Sequence, residues 1–138
     1  MARSPALLLP LFLGFCCPGI HGQEYTVTIR FRDRSIKQPR LGQQLELECE
    51  TNKEDSSMFW VRMDKSGTLH FIVFITSMSR TTFKEKTQTH THFEAKKDGR
   101  FYRLVVKHLT PQNEGKYFCI MSSNKLLYFS PGHPVYLP

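Results

Sequence analysis

Asn113-Glu114-Gly115-Lys116-Tyr117-Phe118-Cys119 is the stretch on which the fold turns. In an extended chain successive side chains leave on opposite faces, so Tyr117 and Cys119 share one face and Phe118 and Ile120 take the other. Working back from Cys119, the only tryptophan of the chain is Trp60, and Cys49 stands eleven residues before it. Cys49 therefore precedes Cys119 by seventy residues, with the tryptophan between them.

The segments around these four residues are period-two runs. Tyr25, Val27, Ile29 and Phe31 alternate with Thr26, Thr28, Arg30 and Arg32; Leu45, Leu47 and Cys49 alternate with Glu46 and Glu48. Tyr102, Leu104 and Val106 repeat the pattern, which reads as strands with one face on a core and one in water. Phe71-Ile72-Val73-Phe74-Ile75 is apolar throughout and predicts a strand covered on both faces. Turn chemistry separates the runs at Asp64-Lys65-Ser66-Gly67, Asp98-Gly99, Thr110 to Gly115 and Ser122-Ser123-Asn124-Lys125. No stretch keeps a helical period over three turns, so short strands at regular spacing predict an antiparallel sandwich or barrel.

The N-terminus sets the compartment. Arg3, then an apolar run from Ala6 to Cys17, then Pro18, Gly19 and Gly22, has the layout of a secretory signal peptide. The run is too short to span a bilayer. Residues 1–22 are expected to be removed and 23–138 to form one domain. The cut takes away Arg3, Cys16 and Cys17, which leaves two cysteines in an oxidising compartment and one possible intramolecular pairing. The whole chain has 138 residues, 40% hydrophobic, 22% charged, with a net charge of +7. That composition excludes collagen-like and disordered chains, and its basic surface suits an acidic partner.

Cys49, Trp60, Tyr117 and Cys119 at these spacings resemble the immunoglobulin variable-type domain. The resemblance covers residues 23–138 and implies an all-β, V-type antiparallel β-sandwich. In such a fold Cys49 and Cys119 bridge the two sheets, Trp60 packs on the bridge, and Tyr117 ties a corner to the backbone. The interval from Thr68 to Thr91 would supply the two extra edge strands. The quoted stretch is similar to the family's Asp-x-Gly-x-Tyr-x-Cys, with Glu114 standing for the acid. His92, or Lys96 or Lys97 in its place, would be the cation paired with it. Farther on, Ser123 to Ser130 and Pro134-Val135-Tyr136-Leu137-Pro138 resemble the alpha-chain branch of the T-cell co-receptor family, which binds MHC class I.

That resemblance implies a cell-surface ectodomain of a type I membrane protein, with no enzymatic activity and no cofactor or metal. The partners it implies are an MHC class I molecule and a second co-receptor chain, either an identical copy or a beta chain. Dimerisation would use Val61, Met63, Phe118 and Ile120, which face away from the core, with Met63 where related domains carry a glutamine. Three loops at one end would grip an acidic loop of the MHC class I heavy chain. Their candidate contacts are Asn52, Ser77, Met78, Arg80, Ser122, Ser123, Asn124 and Lys125, with Arg30 flanking them on the first strand.

Other functions have weaker support in the residues. His90 and His92 lie two apart and share a strand face, but no third ligand follows at a metal-binding spacing, and no nucleophile motif is present. A nucleic-acid binder would cluster its cations with aromatics on one surface. Here Lys and Arg are spread over Arg30 to Arg40, Lys84 to Lys107 and Lys125. Another V-type receptor or adhesion domain, such as the co-receptor beta chain, is the nearest alternative.

Overall fold

The computed structural model describes residues 25–83 and 92–138. The leader, its cut before Gln23, and the segment holding His90 lie outside the described residues. The alternating runs become β1 (Val27–Phe31), β2 (Leu45–Thr51), β3 (Ser57–Met63), β4 (Leu69–Ile75) and β5 (Thr81–Phe83). After them come β6 (Phe93–Asp98), β7 (Phe101–Val106), β8 (Gly115–Ser123), β9 (Leu126–Phe129) and β10 (His133–Val135). One sheet has the order β1-β2-β7-β6; the other runs β10-β8-β3-β4-β5, with β9 also on β8, and all neighbouring strands are antiparallel. The fold is the expected sandwich. β4 and β5 are the two extra strands seen within Thr68 to Thr91, of which residues 84–91 lie outside the description.

The core lies between the sheets. The Cys49–Cys119 disulfide joins β2 to β8, and Trp60, Tyr102, Tyr117, Leu47 and Leu104 are fully buried around it. Phe71 to Ile75 is half as expected. The register slips between Trp60 and Val61, which pair with Val73 and Phe71. This bulge leaves Ile72 and Val73 both buried and turns Phe71 and Phe74 to the outer face, where they are half-buried.

Tyr117 makes the corner the sequence predicts, its hydroxyl donating to the Asn113 carbonyl at 2.6 Å. Burial pushes the phenol well above its ordinary pKa, so the donor stays protonated. The expected pairing of Glu114 with His92, Lys96 or Lys97 does not form. Counted back from Tyr117, the acidic position of the motif falls on Asn113, whose Oδ1 accepts from Thr110 N and Oγ1 at 2.8 and 3.0 Å. Glu114 turns the other way, accepting from Leu137 N at 2.7 Å and pairing with Lys65 at 3.2 Å.

A second carboxylate works at the same end. Asp64 accepts from Ser66 N and Oγ and from Thr68 N, and meets His70 Nε2 at 2.8 Å. The His70 and Ser66 contacts hold Asp64 far below the ordinary carboxylate range, and the Leu137 amide and Lys65 hold Glu114 below it too. A depressed carboxylate stabilises the fold above its unfolded pKa, and that stabilisation is lost as pH falls through the folded value. Melting temperature should therefore fall as pH drops below the ordinary values of 3.8 and 4.5. The Asp64→Asn, Glu114→Gln variant should show a flatter acid limb in thermal melts from pH 6 to pH 2.

Candidate functional site

Register places three connections at one end of the sandwich. Thr51 ends β2 and Ser57 opens β3, Ile75 ends β4 and Thr81 opens β5, and Ser123 ends β8 and Leu126 opens β9; Met58 pairs with both Ile75 and Met121. The 51–57 loop is pinned from below. Tyr102 Oη donates to the Ser56 carbonyl at 2.6 Å, and Thr51 Oγ1 accepts from Lys53 N at 2.8 Å. The 76–80 turn closes on Thr76, whose N donates to the Arg80 carbonyl and whose Oγ1 accepts from Met78 N and Arg80 N. That closure pushes Met78 out to 79% exposure, with Arg80 exposed beside it.

The third connection is tighter than the sequence predicts. β8 runs on through Ser122 and Ser123, so the turn is Asn124-Lys125 alone, both at positive φ (51° and 64°) and both exposed. Positive φ at both central residues suits the right-handed twist of a two-residue hairpin, and Asn tolerates it. Ser123 shares the inward face of Cys119 and Met121 and is buried, so it is not a surface contact; Ser122 stays half-buried on the outer face. Ser77 is half-buried in its turn.

Arg30 and Asn52 also depart from expectation. Arg30 lies on the outer face of the other sheet, its guanidinium 2.8 Å from Glu48 and 3.3 Å from Glu50 and over the Phe101 ring at 5.9 Å. Glu48 also holds Arg103 at 2.9 Å, so Arg30 is engaged in an ion-pair network within the sheet. Asn52 is exposed, but its Oδ1 accepts from Thr26 N at 2.9 Å and ties the loop to the start of β1. Asn52, Ser77, Met78, Arg80, Asn124 and Lys125 thus share the loop end, and Arg30 does not join them.

The second surface is the outer face of the β10-β8-β3-β4-β5 sheet. Phe59, Val61 and Met63 leave β3 opposite the buried Met58 and Trp60, and Phe118 and Ile120 leave β8 opposite Tyr117 and Cys119. Cross-strand partners share a face. Ile120 therefore stands between Phe59 and Phe129, and Ser122 stands beside Leu127. Phe59 lies tilted against Phe74 with ring centroids 4.6 Å apart and meets Phe71 edge-on at 6.0 Å. Leu127 and Phe129 are 57% and 61% exposed, whereas Val61 keeps only 9% and contributes little surface. Strand alternation finds Val61, Met63, Phe118 and Ile120 but not Phe71, Phe74, Leu127 and Phe129. The bulge in β4 and the pairing of β9 with β8 bring those four onto the face.

Among the described residues no group of three or more His, Cys, Asp or Glu could hold a metal, and no helix is long and apolar enough to cross a membrane. His92 is exposed, and its carbonyl accepts from Lys107 N.

Residues 33–137 match the profile of the Immunoglobulin V-set domain. The chain is 32% identical over 100 residues to the T-cell surface glycoprotein CD8 alpha chain of Rattus norvegicus, covering 70% of this chain and 42% of that protein. It is 33% identical over 101 residues to the Mus musculus protein of the same name, covering 69% and 41%. The chain therefore spans about two fifths of the length of these curated relatives.

Proposed function

Because the chain belongs to the immunoglobulin V-set family and is homologous to CD8 alpha chains, we propose that it is the ligand-binding ectodomain of a T-cell co-receptor. In this reading residues 1–22 direct secretion and are removed. The domain stands at the cell surface and pairs with a second copy or with a beta chain. The pair binds the MHC class I heavy chain through its loop end.

The observation that carries the reading is the apolar outer face. Phe59, Phe71, Phe74, Ile120, Leu127 and Phe129 form a contiguous patch across four strands of one sheet, and large exposed apolar patches on soluble domains mark interfaces. Pairing through it would set two loop ends side by side. Each end carries Arg80 and Lys125 without an ion pair to any described carboxylate, beside the soft, exposed Met78. Two such ends suit an acidic loop held between them.

Short polar loops make small, wet interfaces, so affinity for MHC class I should be weak and should fall as salt rises. Arg80→Glu and Lys125→Glu together should lower it at least tenfold, on the order of 1.4 kcal/mol for reversing two cations against an acidic segment. The melting temperature should not move by more than a degree or two, because exposed loop charges add little to stability. Equilibrium binding to immobilised MHC class I, with a thermal melt of each variant, measures both. Unchanged binding would move the site off this end.

A further inference from the structure

The cations of Arg30 to Arg40 divide into two sets. Arg30 is held by Glu48 and Glu50, and Arg32 meets Glu46 at 2.8 Å, so the first two are spent on β2. Arg34, Lys37 and Arg40 are exposed, and none forms an ion pair with a carboxylate of the described residues. The segment repeats every three residues. Ile36 packs on the core and Pro39 is buried, while the three cations point outward between and beside them.

The backbone of the segment is fixed before any ligand arrives. Asp33 Oδ1 accepts from Ser35 N and Oγ at 3.0 and 2.7 Å, Ile36 N donates to the Asp33 carbonyl, and Arg40 N donates to Gln43 Oε1 at 2.8 Å. Next to it opens a cleft of about 420 Å³ lined by Arg32, Asp33, Ile36, Gln43, Gln44 and Glu46. Amides and carboxylates around one small apolar platform are the groups that receive a sugar ring, and a cation-rich segment of this length is suited to a polyanion. All of this lies at the end opposite the ligand loops, since Gly42 N and Leu109 N bond across to Leu109 and Gln43 carbonyls below β2 and β7.

We propose that residues 34–40 and the adjoining cleft bind a sulfated polysaccharide, with Arg34, Lys37 and Arg40 on the sulfates and the cleft on a sugar ring. The proposal rests on the extracellular placement given above but not on binding to MHC class I. A nucleic acid would want exposed aromatics to stack its bases, and a membrane would want an apolar stripe; the segment offers neither beyond Leu41.

The test is retention of the secreted chain on immobilised heparin, with chemically desulfated heparin and phosphatidylserine vesicles as parallel arms. Wild type should bind heparin with an affinity that falls steeply with salt, and should not bind the desulfated chain. Arg34→Ala, Lys37→Ala and Arg40→Ala combined should weaken it roughly tenfold or more. The same triple variant should bind MHC class I like wild type, and the Arg80→Glu, Lys125→Glu variant should bind heparin like wild type. Equal heparin affinity for triple variant and wild type would overturn the proposal, as would equal binding to desulfated heparin. Binding to vesicles without retention on heparin would overturn it in favour of a membrane surface.

Discussion

Gly115→Ala is expected to lower the melting temperature by roughly 10–25 °C in a circular-dichroism melt, which corresponds to about 2–6 kcal/mol for a domain of this size. Gly115 opens β8 at φ +145°, a conformation that L side chains rarely adopt. A Cβ built there would lie 2.3 Å from the carbonyl oxygen of Met63 and 3.2 Å from Arg62 Cγ. The nearer obstacle is backbone in the adjacent strand, so no rotamer change relieves it. Holding a non-glycine residue in such a region costs about 1–3 kcal/mol, and forced overpacking typically costs another 1–3. Net stability of such domains is about 5–15 kcal/mol, so a large part of it is at stake. Gly99→Ala is the matched control. Gly99 also has positive φ (+64°), but a Cβ there meets nothing within 4 Å, so the variant should lose only about 1–2 kcal/mol. A Gly115→Ala protein melting within 3 °C of wild type would show that β3 and β8 approach less closely than described.

Ile120→Asp is expected to turn a dimer into a monomer in sedimentation equilibrium while the fold stays intact. Ile120 is half-buried on the outer face, between Phe59 of β3 and Phe129 of β9. A carboxylate at the centre of an apolar contact loses its water without gaining a cation, which costs several kcal/mol per copy. In a two-fold contact the penalty counts twice. Association should weaken at least a hundredfold, close to 3 kcal/mol. Met63 is the poorer site for this change, because Lys116 is its cross-strand partner and would neutralise an aspartate there. Phe129→Asp provides an independent second variant on the exposed strand. A wild-type chain that sediments as a monomer at high concentration would remove the proposed face from the account.

The sequence made the frame legible and the surfaces only partly so. Cys49, Trp60, Tyr117 and Cys119 are fully buried side chains whose spacing is tied to the sandwich, so a linear reading finds them. Loop contacts are different, because a residue there can belong to the strand, the turn or the core. Ser123 was legible as a turn serine; β8 runs as far as Ser123 and buries it. Arg30 was legible as a cation but not as one paired with Glu48 and Glu50, since those carboxylates reach it only through strand register. The same holds for Glu114, whose partners Lys65 and Leu137 come from the 64–68 turn and from beyond β10. Phe71 and Phe74 could not be placed because a period-two reading cannot foresee the bulge that turns both outward.

Two copies acting together are proposed to bind MHC class I through their loop ends. Equilibrium binding of wild type and the Ile120→Asp monomer to immobilised MHC class I, at matched domain concentration and physiological salt, tests it most directly. Weak, saturable, salt-sensitive binding is expected for wild type and no measurable binding for the monomer, because half of the grip on the acidic loop is gone. A folded monomer that binds as well as wild type would contradict it.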